Sequence, residues 1–310
     1  MLLFHFCPAF VTDEHWVLMV MFVFCLTIDF VFTNRDIADY YNQTLQHYQQ
    51  WWQLDKALAV HYGVWLPNTH SFREALKNTN IEMAKLAGIV EGSRVLDAGC
   101  GVGGSSFFLA EAYGCQVTGV TLSEKQLAYA QEQNLLLGWQ HVVDFKLEDY
   151  TRTSLPSADL DLIWAIESLT SAPDKKKFAL EAYRLLKPGG VLVVADYYQV
   201  EGKPDPDQWL EKWRRTWSLA PFIPESSFVE DMACAGLVLE ESLDFTKEIT
   251  PTARRMYYAS LAATLPSLIY DALFKASRFS RTHYKSGIFQ YKALKKGLWE
   301  YKMMKFRKPL

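Results

Sequence analysis

No cysteine or histidine pair in this sequence stands at a metal-ligand spacing. The five cysteines, at positions 7, 25, 100, 115 and 234, are odd in number and scattered, and the seven histidines form no HxxxH or HxxE pair. A resident metal site is therefore not expected, and cysteines without a disulfide framework fit a reduced, cytoplasmic compartment. Charge of one sign is lacking as well. The net charge is −3 over 310 residues, so no nucleic-acid partner is expected. The short basic groups, Lys175 to Lys177, Arg214-Arg215 and Arg254-Arg255, read as solvated helix faces. No internal repeat and no low-complexity segment is visible.

Half of the residues are hydrophobic, enough for one α/β domain with additions. The chain is organised around residues 94–112. Arg94 to Leu96 is a short buried strand, Asp97-Ala98-Gly99-Cys100-Gly101-Val102-Gly103 a glycine-rich turn, and Phe107 to Ala112 the helix that follows. Glycines at 99, 101 and 103 permit a tight turn and a close backbone approach to a ligand, the first unit of a doubly wound nucleotide-binding sheet. The next strand, Gln116 to Thr121, ends without the acidic residue that a dinucleotide ribose would favour. Thr121, Ser123 and Gln126 are the polar candidates there. Cys100 inside the turn reads as a small residue in a tight place.

These residues resemble a class I S-adenosylmethionine-dependent methyltransferase. The resemblance rests on Asp97 to Gly103, on Gly119-Val120-Thr121-Leu122-Ser123-Glu124-Lys125-Gln126, and on Leu185-Leu186-Lys187-Pro188-Gly189-Gly190 entering the strand Val191 to Ala195. It covers roughly residues 75 to 245. It implies a Rossmann-like seven-stranded sheet with helices on both faces and S-adenosylmethionine as cofactor. The implied cofactor contacts are Asp97, Gly99, Gly101, Gly103, Thr121, Leu122, Ser123, Gln126 and Ile166, with Glu148 or Asp149 taking the adenine amino group.

The remaining elements follow in order. Ser71 to Ala87 reads as a helix, Glu124 to Leu137 as the helix after the second strand, Val142 to Lys146 as the third strand and Asp159 to Ile166 as the fourth. Lys175 to Leu186 is a helix stopped by Pro188-Gly189-Gly190. Glu225 to Gly236 is a further helix, Leu237 to Thr246 the sixth strand, and Gly297 to Phe306 the last, edge strand. The domain division is a hydrophobic segment at 1–33, an aromatic helical arm at 34–90, and the cofactor-binding domain at 91–310. That domain carries a lid insertion at about 200–224 and a helical insertion at about 250–296.

The run Trp16 to Phe32 is almost wholly apolar and close to the short limit of one membrane span, with Asp29 inside it. Three readings stay open: a membrane anchor or monotopic helix, an apolar helix packed on the domain or a partner, or a segment upstream of the functional start.

In the arm, Tyr41, Thr44, Tyr48 and Trp51 or Trp52 recur at helical spacing. Such a stripe can pack on the sheet or close over a cofactor and an apolar substrate. The run Tyr40-Tyr41-Asn42-Gln43-Thr44 through Tyr48, then His61-Tyr62-Gly63-Val64-Trp65, is similar to the N-terminal arms of sterol, tocopherol and terpenoid C-methyltransferases. The stretch from Trp164 to Asp174 resembles their signature, with Glu167 and Ala172-Pro173-Asp174 matching and Ser171 standing where the signature has histidine. A carboxylate directly after a buried strand is costly unless it has partners.

Glu167, His61 and Tyr41 are therefore the candidate catalytic residues. Tyr40, Tyr48, Trp52, Trp65, Trp213 and Trp217 are the candidates for lining the substrate site. Aromatic faces and a carboxylate suit methyl transfer to an alkene carbon of an isoprenoid or lipid (terpenoid, prenyl diphosphate or sterol-like) through a carbocation. A cyclopropane fatty-acid synthase would use the same chemistry. The alternatives are an O- or N-methyltransferase of an apolar small molecule, and a membrane-attached binding protein without catalysis.

Overall fold

The sheet is built from strands whose successive residues serve opposite faces. In β1 (Arg94–Ala98), four buried residues follow an exposed arginine. Val95 belongs to the apolar cluster on one face of the sheet, Leu96 and Ala98 to the cluster on the other. In β4 (Leu160–Ile166), Trp164 serves the first cluster, Ile163 and Ala165 the second. Burial on both faces is what a parallel sheet covered by helices requires.

The computed structural model describes residues 32–51, 54–273 and 279–310. Residues 32–310 form one compact unit, arm included. Of the apolar run at 16–32, only Phe32 is among the described residues, and it is buried. Trp52, expected to line the substrate site, lies outside them.

The arm begins with α1 (Asn34–Trp51) and a single turn, α2 (Leu54–Ala57). Then comes α3 (Phe72–Ala87), capped by the Ser71 hydroxyl on Glu74 N–H and ended by Gly88. After β1 the chain runs through α4 (Gly104–Tyr113), β2 (Gln116–Thr121), α5 (Glu124–Leu137), β3 (Val143–Leu147) and β4. It continues through α6 (Lys175–Leu185), β5 (Leu186–Gln199), α7 (Trp209–Trp217), α8 (Glu225–Cys234) and β6 (Val238–Asp244). The second insertion is α9 (Thr246–Leu273), α10 (Ser280–His283) and α11 (Ser286–Lys295), and β7 (Trp299–Arg307) ends the sheet's chain path.

The seven strands lie in the order β3-β2-β1-β4-β5-β7-β6, parallel except for β7, which pairs antiparallel with both β5 and β6. The order reverses between β1 and β4. A crevice outside the carboxyl ends of the strands opens at such a switch point, and both the glycine turn and Glu167 leave the sheet there.

Two expectations are corrected. β7 is not an edge strand but lies inside the sheet between β5 and β6. Flanked on both sides, Trp299, Tyr301, Met303, Met304 and Phe306 are buried on both faces. The edge on that side is β6, whose exposed Glu240, Glu241 and Asp244 hinder pairing with another chain. Lys305, Arg307 and Lys302 of β7 reach Glu240 and Asp244. β5 is also longer than Val191 to Ala195. Leu186 pairs with Leu160 and Val191 with Leu162, so Lys187 to Gly190 bulge opposite one residue of β4. Beyond Ala195 the strand continues on β7 alone.

The lid insertion divides between core and site. Trp213 is wholly buried, with ring centroids 5.1 Å from Tyr197, 5.6 Å from Trp217, 4.7 Å from Phe222 and 5.0 Å from Trp299. It joins α7 to β5 and β7. Trp213→Ala is expected to destabilise the protein by about 3–5 kcal/mol, the range for emptying a buried aromatic site. Trp213→Phe is expected to cost much less, because the indole N–H has no hydrogen-bond partner to lose. Urea midpoints of the two variants check this.

Candidate active site

The glycine turn is shaped by what crosses it. Gly99 has φ +85°, and a Cβ there would stand 2.4 Å from Cβ of Ser168, whose hydroxyl donates to Ala98 O at 2.6 Å. The turn therefore lies directly against the end of β4. At Gly104 a Cβ would stand 1.9 Å from the carbonyl oxygen of Leu58, so the arm's backbone rests on the first turn of α4. Asp97, at the end of β1, accepts from Ser106 Oγ at 2.7 Å, and burial pushes its carboxyl up to about 7. At the end of β2, Thr121 donates to Oε1 of Gln126 at 2.8 Å and so orients that amide. Burial raises the Cys100 thiol well above its ordinary range, consistent with a packing role.

Glu167 terminates β4 with φ +51°, a left-handed conformation that is uncommon for a residue with a side chain. Its N–H donates to Ala195 O at 2.7 Å, which ties the strained residue to β5. The carboxylate faces the arm and the sheet. Oε1 accepts from Tyr62 N–H at 2.6 Å and from the Tyr301 hydroxyl at 2.9 Å; Oε2 accepts from the Tyr197 hydroxyl at 2.9 Å. Burial pushes the carboxyl up to about 8, against the pull of these donors.

His61 lies beside it in the chain of the arm. Its Nδ1 is 2.9 Å from Tyr62 O. A carbonyl only accepts, so Nδ1 carries the proton, and Nε2 is a buried acceptor without a partner. Burial lowers its pKa to about 4, which keeps the ring neutral.

These groups face one cleft. It runs from the glycine turn to Glu167. Of the expected cofactor contacts, Asp97, Gly99, Gly101, Thr121, Leu122, Gln126 and Ile166 line it. Gly103, Ser123, Glu148 and Asp149 do not appear in its wall. Gly103 caps α4, and a Cβ there would meet the Phe145 ring at 2.6 Å. Ser123 caps α5 and donates to Asn42 Oδ1 at 2.6 Å. Glu148 binds Ser154, and Asp149 accepts from Asn34 and Thr151. Among the expected catalytic and substrate residues, Glu167, His61, Tyr41, Tyr40, Tyr48 and Trp217 line the cleft. Trp213 is core, and Trp65 lies elsewhere, its indole donating to Thr252 Oγ1 at 3.0 Å.

The structure adds residues that the sequence reading passed over. Tyr62, Tyr197 and Tyr301 hold Glu167, and Tyr150 lines the cleft. Tyr197 carried a signal, since it follows the carboxyl end of the core of β5. Tyr301 carried none beyond the alternation of its strand. Ser171, at the place of the signature's histidine, lines the cleft. Among the described residues no His, Cys, Asp and Glu cluster could hold a metal ion, and no helix is long and apolar enough to cross a membrane.

Residues 96–194 match the family model described as a methyltransferase domain. A 2-methyl-6-phytyl-1,4-hydroquinone methyltransferase of Synechocystis is 40% identical over 152 residues, 47% of this chain and 47% of that protein. A sterol 24-C-methyltransferase of Eremothecium gossypii is 31% identical over 168 residues, 54% of this chain and 44% of that one. The matched region thus spans about half the length of these curated relatives. A cyclopropane synthase from Mycobacterium tuberculosis shares the fold, with a TM-score of 0.77 at 18% identity over 90% of this chain and 100% of that one. Residues 96–194 thus match a methyltransferase domain in sequence, and the fold shared with the cyclopropane synthase extends over 90% of the chain.

Proposed function

We propose that this chain methylates an alkene carbon of an isoprenoid or comparable lipid through a carbocation. The observation that carries this reading is Glu167, a half-buried carboxyl held by Tyr62, Tyr197 and Tyr301 in a cleft walled by aromatic rings. The glycine turn with Asp97, Thr121 and Gln126 fits S-adenosylmethionine, because Gly101, at φ +55°, brings backbone without a side chain to the cleft wall. When bound, that cofactor supplies an electrophilic methyl group, and transfer to an alkene leaves a positive carbon on the acceptor.

The chain's own residues then have three tasks. The arm, resting on Gly104, closes the cleft and excludes water. Holding the reacting carbons close contributes up to about 7–11 kcal/mol of barrier lowering. The faces of Tyr41, Tyr197 and Trp217 stabilise a cation by about 0.5–2 kcal/mol each. Glu167 in its ionised form takes the proton that restores the double bond. The names of the two curated relatives, for a phytylated hydroquinone and for carbon 24 of a sterol, support an isoprenoid acceptor.

His61 favours one second reading. Its bare Nε2 could take a proton from a hydroxyl, which is the requirement of O-methylation. A radiolabelled-methyl assay over prenyl diphosphates, squalene-like hydrocarbons, sterols, tocopherols, prenylated hydroquinones and unsaturated phospholipids separates the two. Label on carbon in the product is the expected result. Label only on oxygen would replace this reading with the second.

A further inference from the structure

The second insertion differs in charge from the rest of the chain. Residues 249–299 hold nine Lys or Arg against one acid, Asp271, in a protein of net charge −3. Within it, α9 has two unlike halves. Ile249, Thr252, Ala253 and Met256 are buried and root the first half in the core. In the second half Leu261, Leu265, Leu268, Ile269 and Leu273 are 45% to 70% exposed. Steps of three and four residues put Tyr258, Leu261, Leu265 and Leu268 on one side of the helix. Arg254, Arg281, Lys292, Lys295 and Lys296 are exposed on the same insertion. A continuous exposed apolar stripe of this kind marks a docking site.

We propose that the second half of α9 docks on the surface of an anionic lipid bilayer, with its leucines in the acyl boundary and the insertion's Lys and Arg at the headgroups. The charge selects this occupant. A second copy on a two-fold axis would set one basic insertion against another, whereas anionic headgroups neutralise it. The stripe from Leu261 to Leu273 is about 18 Å long at 1.5 Å per residue, too short to span a bilayer and suited to lying on it. From Phe279 onward the same insertion meets the cleft. Phe279 packs edge-on against Tyr40 at 5.6 Å, and His283 Nδ1 is 2.9 Å from the Tyr40 hydroxyl. Tyr40 lines the cleft, so the same insertion that carries the exposed stripe also contributes to the cleft's wall. The inference does not depend on which atom is methylated.

The test uses the full chain with vesicles of phosphatidylcholine alone and of phosphatidylcholine mixed with phosphatidylglycerol. Co-sedimentation with the mixed vesicles, reversed by salt, is expected, with slowed amide hydrogen exchange over residues 258–273. The triple variant Leu261→Gln, Leu265→Gln, Leu268→Gln is expected to bind at least about tenfold more weakly with unchanged melting temperature, since the lost groups are solvent-exposed in the free protein. Binding equal to that of the unaltered chain, or no slowing of exchange in that stretch, would overturn the proposal and move any bilayer contact elsewhere, for instance to residues 1–31. Failure to bind vesicles together with a dimer that the triple variant dissociates would assign the face to a second copy instead.

Discussion

Glu167→Gln is expected to lower turnover roughly 10²–10⁴-fold, the usual worth of a general base, while leaving cofactor affinity within about threefold. Glutamine keeps the shape of the side chain and can still accept from Tyr62 N–H and the Tyr301 hydroxyl, the two donors on Oε1. On the other side, its amide can donate to the Tyr197 oxygen, which now donates to Oε2. What is lost is basicity alone. The measurement is the rate of S-adenosylhomocysteine formation with the acceptor found in the methyl-transfer assay, beside calorimetric cofactor binding. A cation that forms but is not deprotonated has other fates, so hydrated or cyclised methylated products are expected in the variant. Turnover equal to that of the unaltered enzyme would remove Glu167 from the reaction.

The same residue sets a pH dependence whose sign can be worked out. Its pKa rises from 4.5 to about 8 on folding, because burial penalises the charge. Between these values the folded state holds a proton that the unfolded state has released. The stability associated with this proton is fully present below about pH 4.5 and is lost as pH rises toward 8. Glu167→Gln carries no such dependence. The difference in melting temperature between Glu167→Gln and the unaltered chain should therefore grow in the variant's favour from pH 5 to pH 8. Asp97, raised to about 7 for the same reason, is present in both proteins and cancels in the comparison. In kcat/KM, the unaltered enzyme should gain activity as pH rises toward 8, a limb that Glu167→Gln lacks.

What was legible in the sequence was local. The glycine turn, the helix Glu124 to Leu137 and the strand that delivers Glu167 are each specified by neighbours a few residues away. The place of β7 was not. Its alternation is compatible with an edge or an interior position, and only antiparallel pairing with β5 and β6 decides between them. The surroundings of Glu167 were hidden for the same reason. Tyr62, Tyr197 and Tyr301 come from the arm, β5 and β7, and lie 105, 30 and 134 residues away in sequence. Trp213 and Trp217 share one helix and one spacing, yet the first fills the core and the second faces the cleft. A periodic stripe tells which residues share a helix face; it does not tell what the face meets.

Gly104→Ala is the second large effect, expected to weaken cofactor binding by one to two orders of magnitude and to slow turnover as well, through displacement of the arm. Alanine is the better helix former by about 0.8–1.0 kcal/mol, so propensity alone predicts a gain. The close approach of the arm reverses that sign. A Cβ at 104 would stand 1.9 Å from Leu58 O and 2.7 Å from Leu58 C, both backbone atoms that no rotamer change can move. Leu58 already has φ +48° and donates its N–H to Leu54 O at 2.8 Å. The segment must therefore shift as a unit by more than an ångström, roughly the gap to an ordinary contact near 3.5–4.0 Å. Val60, His61 and Tyr62 shift with it, and the Tyr62 N–H leaves Glu167. Gly88→Ala provides the control. Gly88 has φ +65° but nothing within 4 Å of a built Cβ, so that change carries only the backbone strain of about 1–2 kcal/mol and should leave cofactor affinity untouched. Equal cofactor affinity in Gly104→Ala and Gly88→Ala would mean that the arm does not hold the site together. A loss confined to Gly104→Ala, with faster hydrogen exchange over residues 58–62, would show that one missing methyl group keeps the arm closed over the cleft.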